Sequence, residues 1–346
     1  VTARLARLQS SLEEPLLVTD QVNVKYLTGF NSDNAALLVE PERVRLFTDF
    51  RYAEGARAAV GDIEVVQTPR FVYAGVAPIL EGRVGFEAAV VSYANYEVLR
   101  SGPAELVPRS AVVEAMRAVK DDDELDAIRR AAQASDAAYE ELSRETFIGR
   151  TEQELAWRME VLLREHGGEG LSFDVAIGSG PNGALAHGDP TERKVQAGDT
   201  IVVDAGCKVR GYASDCTRTF AAGSLPDELK DAYGVCLEAQ CAALAGVRAG
   251  ARGADVDAIA RERIDASAFE GLFGHGLGHG VGLRIHESPT LRPESQDVLE
   301  PGNVVTVEPG IYMPGKGGIR IEDLVVVTEG EPEVLTHFPK DLISVE

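Results

Sequence analysis

Short apolar runs separated by polar turns open the chain. Leu16-Leu17-Val18, Ala35–Val39 and residues 44–48 have strand length, with Glu40-Pro41-Glu42 as the turn between the last two. Residues 53–60 carry a helical spacing, and 63–67 read as another strand. This alternation predicts an α/β layer domain over residues 1–118. The pattern changes near Lys120. Asp121-Asp122-Asp123-Glu124 leads into Leu125, Ile128, Ala131, Ala132, Ser135 and Ala138, spaced by three and four. That spacing predicts a long helix with acids at the favourable end of its dipole. Thr151 with Glu154 three residues later forms a capping box, and the second helix it opens runs to His166 and ends at Gly167-Gly168. Strand and turn patterns dominate afterwards, interrupted by helices near 227–247 and 254–264. A second domain over 119–346 follows.

Two segments repeat one device, a hairpin with two acids. In TIVVDAGCKVRGYASDCTRTF, Asp204 and Asp215 are equidistant from 209.5, within a turn placed at 209–211. In NVVTVEPGIYMPGKGGIRIEDLVVVT, Glu308 and Glu322 are equidistant from Gly315. Residues equidistant from a hairpin centre face each other, roughly 5 Å apart at Cβ. Apolar neighbours such as Val202, Val203, Val305 and Val307 bring these acids toward a core. Like charges there repel and resist ionisation unless a cation joins them, and an all-oxygen set suits hard cations such as Mn2+ or Mg2+.

The segment GHGLGHGVGLRIHESP has glycine at 274, 276, 278, 280 and 282. Such density is hostile to helix, which removes His275 and His279 as a helical zinc pair. Read as a strand, its bare face admits a ligand or another backbone. The two histidines lie about 13 Å apart on the other face, so only one of them can reach a given metal. The stretch GSGPNGALAHGDP lacks the G-x-x-x-x-G-K-[ST] pattern of a phosphate loop and reads as a turn presenting His187.

Composition narrows the partners. Lys and Arg number 34 against 56 Asp and Glu, a net charge of −22, which argues against nucleic acid and anionic membrane. No apolar run has membrane-spanning length, and VTARLARLQS lacks the apolar stretch of a secretory leader. Cys207, Cys216, Cys236 and Cys241 have neither disulfide-scaffold nor zinc spacing and are expected as reduced thiols of a cytoplasmic protein.

Together these motifs resemble the pita-bread metallopeptidases, in the proline-directed branch of Xaa-Pro dipeptidases (prolidases) and Xaa-Pro aminopeptidases. The resemblance spans nearly the whole chain. It rests on VDAG at Asp204, SDCTRTF at Asp215, GHGVGLRIHESP at His279, VEPGIY at Glu308 and GIRIEDLVVVT at Glu322, with NVKYLTGF and TDFRY nearer the start. It implies an α+β protein with a pita-bread catalytic domain over 119–346, preceded by a smaller α/β creatinase-like domain over 1–118. Asp204, Asp215, His279, Glu308 and Glu322 are the implied ligands of two divalent ions per chain, Mn2+ first with Co2+ or Zn2+ as alternatives. Asp215 and Glu322 bridge them. His279 is singled out because His286-Glu287-Ser288-Pro289 follows seven residues later, as the family pattern requires. His187 and His286 are implied as substrate-facing catalytic groups and Glu308 as the proton acceptor. Phe173 and Ile285 wall a proline pocket, and Tyr312 and Arg320 stand near the carboxylates and substrate. The implied reaction is hydrolysis of an Xaa-Pro bond by a hydroxide shared between the metals, in a homodimer acting on small peptides with proline second.

One departure concerns substrate length. Some dipeptide-specific members carry an arginine just after the HExP motif, and here that position is Thr290. His187, Arg292, and Arg51 with Tyr52 are the remaining candidates to meet a substrate carboxylate. A dipeptidase is expected, with an Xaa-Pro aminopeptidase acting on longer peptides as the alternative. A methionine aminopeptidase, a creatinase and a non-enzymatic pita-bread binding module fit less well, given the long N-terminal part and five intact ligand positions.

Overall fold

The computed structural model describes residues 2–346, which divide into one compact unit ending at Arg117 and a second spanning Ala118–Glu346. No helix among the described residues is long and apolar enough to cross a membrane.

The first unit is built on six strands: β1 (Leu16–Val18), β2 (Ala35–Val39), β3 (Val44–Asp49), β4 (Glu64–Thr68), β5 (Arg83–Glu87) and β6 (Glu105–Arg109). They form one mixed sheet in the order β4-β3-β2-β1-β5-β6. Every residue of β2 is buried, as expected of a strand covered on both faces. The helix predicted at 53–60 instead begins at Phe50. The Asp49 carboxylate accepts the Arg51 N–H and starts the helix there, a signal that apolar spacing does not carry.

The second unit contains β7 (Gly170–Leu171), β8 (Ala176–Ser179), β9 (Thr200–Asp204), β10 (Cys207–Val209), β11 (Tyr212–Ala213), β12 (Thr217–Ala222), β13 (Gly278–Gly280), β14 (Glu287–Leu291), β15 (Val304–Val307), β16 (Gly310–Met313), β17 (Gly317–Arg320), β18 (Asp323–Val326), β19 (Glu333–Val334) and β20 (Ser344–Val345). Sheets of order β20-β12-β9-β8 and β14-β13-β15-β18-β19 carry the two acidic segments, flanked by β11-β10-β7 and the β16-β17 ribbon. Each acidic segment has its own pair of helices. Asp122–Leu142 and Glu152–Glu165 share a core with Ile201, Val203 and Phe220, while Asp227–Gly246 and Gly253–Asp265 share one with Val305, Val307 and Ile319. Capping boxes open the first two helices, at Asp121 with Glu124 and at Thr151 with Glu154.

The register of the first hairpin differs from the expectation. Thr217, not Asp215, lies opposite Asp204, and Lys208 pairs with Ala213, so the ladder is centred between Arg210 and Gly211. Those two residues form the turn with φ of 53° and 85°, the positive pair that a two-residue hairpin turn of this hand requires. A non-glycine residue in that role displaced the predicted centre by one position. Asp215 therefore sits two residues before the partner of Asp204, on the same face and diagonal to it rather than opposite.

The second hairpin keeps its predicted centre. Val307 pairs with Asp323 and Gly310 with Arg320, so Glu308 and Glu322 face each other between two ladders centred on Gly315. The glycine-rich segment is a regular strand only over Gly278–Gly280. A Cβ at Gly278 would overlap the Thr306 carbonyl and one at Gly280 the Ser288 carbonyl, so the bare face admits neighbouring backbone.

Candidate metal centre

Three carboxylates meet where the two hairpins approach. Asp204 at the end of β9, Asp215 before β12 and Glu322 before β18 each offer an oxygen, all within 4.8 Å of one another. Thr217 Oγ1 donates to Glu322 Oε2 at 2.8 Å, and the Glu322 N–H donates to the Thr217 carbonyl at 3.1 Å, tying the hairpins together beside the cluster. The Tyr139 hydroxyl lies 2.6 Å from the Cys216 carbonyl and 3.0 Å from that of Val203, covering backbone oxygens where the first ladder opens.

These acids are not satisfied by the protein alone. Asp204 Oδ1 and Glu322 Oε1 are buried without a hydrogen-bond partner among the described residues. Burial pushes the Asp215 carboxyl well above the usual carboxylate range, reinforced by the Glu322 and Asp204 charges. Burial does the same to Glu322, with Glu308 and Asp204 adding to it. Asp204 is also raised by burial, although Arg320 opposes the shift. A hard divalent cation is the complement such a set lacks, and an orphaned oxygen on each hairpin is what a coordination site fits.

His279 brings a ring nitrogen to the edge of this cluster. Its Nδ1 donates to the Gly280 carbonyl at 3.1 Å, so Nε2 is the nitrogen turned to Glu308 Oε1 at 3.3 Å and Asp215 Oδ2 at 3.6 Å; burial lowers the imidazole pKa but Glu308 outweighs it and raises it, so without a cation Nε2 keeps its proton and donates to Glu308, and a cation would take that proton's place. A backbone carbonyl that fixes the tautomer in this way is the usual support of a ligating imidazole. Burial pushes the Glu308 carboxyl up, but the hydrogen bond and charge of His279 outweigh it and hold it at about 2. Thr306 Oγ1 donates to Glu308 Oε1 at 2.9 Å and accepts the His279 N–H at 3.0 Å, linking both side chains.

Arg320, buried on β17, orients the other edge. Its Nη2 donates to Asp204 Oδ2 at 2.6 Å, its Nε to Thr217 Oγ1 at 3.0 Å, and its Nη1 to Tyr312 Oη at 3.0 Å and the Ala186 carbonyl at 3.2 Å. His275 Nδ1 faces the Gly276 carbonyl at 2.8 Å, so its Nε2 accepts the Tyr312 hydroxyl at 2.8 Å. Burial lowers His275, which favours that neutral form, and raises Tyr312 to about 12. His275 thus reaches the margin of the site through Tyr312 instead of facing the acids.

The outer residues are more dispersed. The His286 ring stands edge-on to His279 with centroids 4.3 Å apart, and burial followed by the His279 charge lowers its pKa. His187 is exposed in the turn after the 3-10 segment Gly180–Ala184. Ile285 packs on the cluster that holds Tyr212 and Val281. Phe173 is half-buried in the bend before β8, the strand that pairs Ala176 with Asp204. Thr217 and Thr306 escaped the sequence reading, although Thr306 stands two residues before Glu308 and so shares its face. Of the candidates for a substrate carboxylate, Arg51 is engaged by Asp49 and Tyr52 by Asp33 within the first unit. Thr290 donates from both N and Oγ1 to Asp297 Oδ2, at 2.7 and 3.0 Å, whereas Arg292 is exposed.

Comparison with known proteins agrees with this architecture. Residues 126–329 match metallopeptidase family M24, and residues 4–119 match the creatinase/prolidase N-terminal domain. Among solved structures, the chain is similar to an Xaa-Pro dipeptidase from Bacillus anthracis, with TM-score 0.94, 37% identity and 99% of each chain covered. It is also similar to an X-Pro aminopeptidase from Thermotoga maritima, with TM-score 0.89, 34% identity, and coverage of 98% of this chain and 100% of that one. An Xaa-Pro dipeptidase of Pyrococcus furiosus is 32% identical over 349 residues, covering 98% of this chain and 99% of the relative. Two acidic hairpins, a tautomer-fixed histidine and these matches lead to one assignment: the chain belongs to metallopeptidase family M24 and carries the creatinase/prolidase N-terminal domain.

Proposed function

We propose that this protein is an Xaa-Pro dipeptidase working with two divalent cations, Mn2+ first and Co2+ or Zn2+ as alternatives. The observation that carries this reading is the convergence of Asp204, Asp215 and Glu322, with two buried oxygens lacking partners. His279 and Glu308 complete the proposed ligand set, and the direction toward proline comes from the dipeptidases and aminopeptidase to which the chain is similar. Bound there, divalent cations supply Lewis-acid polarisation and bring the pKa of a water near neutrality.

The chain's own groups do the rest. Glu308, held ionised, accepts a proton from the nucleophilic water and returns it to the leaving imino nitrogen. His286, whose pKa is lowered by partial desolvation and by His279, donates an N–H to the oxyanion or the proline side, and His187 assists from its turn. Phe173 and Ile285 offer apolar walls to proline. Arg320, braced by Tyr312, fixes the orientation of Asp204. The reading includes a homodimer, checked by analytical ultracentrifugation. A cytoplasmic location fits the four free thiols.

A second reading, an Xaa-Pro aminopeptidase, is favoured by Thr290, whose side chain is occupied by Asp297 and Ser295 and presents no cation. The discriminating experiment is kcat/KM for Ala-Pro, Ala-Pro amide and Ala-Pro-Ala. If the dipeptide carboxylate is read by a charge, removing it costs about 10-fold or more. Equal cleavage of all three assigns the aminopeptidase.

A further inference from the structure

Glu152 is the first residue of the helix Glu152–Glu165, and its side chain is fully buried, 0% exposed. An acid at that place is ordinarily a surface partner of the helix dipole. Here both carboxylate oxygens are used, and every donor comes from one loop. Oε1 accepts the Ser179 N–H at 2.8 Å, the Ser179 hydroxyl at 2.7 Å and Asn182 Nδ2 at 3.2 Å. Oε2 accepts the Thr191 N–H at 3.0 Å, the Thr191 hydroxyl at 2.6 Å and Asn182 Nδ2 at 3.0 Å. Burial alone would raise this carboxyl, but the donors from Thr191 and Ser179 outweigh it and keep it below its usual value.

One side chain thus closes the base of the loop 179–191. Arg193 adds a staple, donating from Nη1 to Ser179 Oγ at 2.6 Å and to Asp199 Oδ2 at 2.7 Å. The far side of the loop is tied once more, where Arg320 Nη1 donates to the Ala186 carbonyl. The next residue is His187, exposed.

We propose that Glu152 is a positioning residue for His187: its carboxylate clamps both ends of the 179–191 loop, so that the imidazole is delivered beside Arg320 at a fixed place. The proposal rests on the reading of His187 as a substrate-facing group. The clamp needs a carboxylate. Oε1 and Oε2 each receive a backbone N–H, and a glutamine amide, whichever way it is turned, sets its own NH2 against one of them.

The test uses the full chain loaded with Mn2+, as wild type, Glu152→Gln, His187→Ala and the double variant. Glu152→Gln is expected to speed amide hydrogen exchange over 179–191 while the helix Asp227–Gly246 keeps wild-type protection. Its kcat on Ala-Pro is expected to fall about 10²-fold, the scale of a misplaced catalytic group, with metal content and KM close to wild type. In the His187→Ala background the same change is expected to cost less than about 3-fold, because the two residues act as one unit. Thr191→Val, which removes one of the donors to Glu152 together with the acceptor of Asn182 Nδ2 and the Arg193 N–H, is expected to raise exchange near 186–191 without altering that helix. Unchanged loop exchange in both variants, or full multiplication of the two kcat losses in the double variant, overturns the proposal. Wild-type turnover in His187→Ala overturns instead the reading of His187 on which it rests.

Discussion

Arg320 Nη2 donates to Asp204 Oδ2 at 2.6 Å, while Oδ1 of the same carboxylate is buried without a partner among the described residues. One oxygen is pinned and the other is left for a cation, which is how an oriented but unsaturated ligand is built. Arg320→Met should therefore weaken metal binding by about 10–100-fold, read as the Mn2+ concentration giving half-maximal loading. Unchanged loading with lower turnover would assign Arg320 to substrate instead.

Thr217 joins the two hairpins by donating to Glu322 and accepting from Arg320 Nε. Thr217→Val keeps the shape and removes both bonds, leaving a buried guanidinium N–H unpaired. A loss of about 1–3 kcal/mol in unfolding free energy is expected for the metal-free protein. Urea unfolding at equal slope checks it, and a value within error of wild type shows that the bridge adds nothing to stability.

The pH dependence follows from the raised carboxyls. Folded, metal-free protein holds protons on Asp215 and Glu322 where the unfolded chain, with carboxyl pKa near about 4, has released them. Their contribution to stability is full below that pKa and is lost as pH rises toward the folded values. Glu308 runs the opposite way, since its contribution is present above the unfolded pKa and lost only as pH falls toward about 2. The gap in Tm between Mn2+-saturated and chelated protein should thus widen from about pH 5 to about pH 8, because protons leave the ligands. Differential scanning calorimetry in both conditions reads the gap, and one that narrows with pH contradicts the assignment of these acids.

His286 stands against His279, and among the described residues the imidazole near the acids with carboxylate contacts is that of His279. His286→Ala should lower kcat by about 10²-fold with metal content near wild type, the scale of an oxyanion or acid–base partner. Loss of metal with unchanged turnover per bound ion would make His286 a ligand.

Much of this centre was legible from residue spacing. The Gly315 turn placed Glu308 opposite Glu322 because its glycine takes the positive φ the turn needs, and the counting works. The same counting misplaced Asp215 by two positions, since Arg210 adopts a positive φ that composition does not announce. The acids still converged, as diagonal neighbours share a face. Strand spacing left open which of His275 and His279 faces the acids, and the His286-Glu287-Ser288-Pro289 pattern chose His279; the regular strand covers only Gly278–Gly280, and His275 turns to Tyr312. Glu152 was read solely as part of a capped helix. Its loop partners lie up to 39 residues away, and no local pattern encodes them.

The central claim is that Asp204, Asp215, His279, Glu308 and Glu322 hold two cations that enable Xaa-Pro hydrolysis. The most direct measurement is metal content by elemental analysis alongside Ala-Pro turnover as chelated protein is titrated with Mn2+. The account predicts binding that saturates near about two ions per chain, with activity absent in chelator and restored with loading. Binding that levels off well below two ions per chain, or undiminished hydrolysis in chelator, would contradict it.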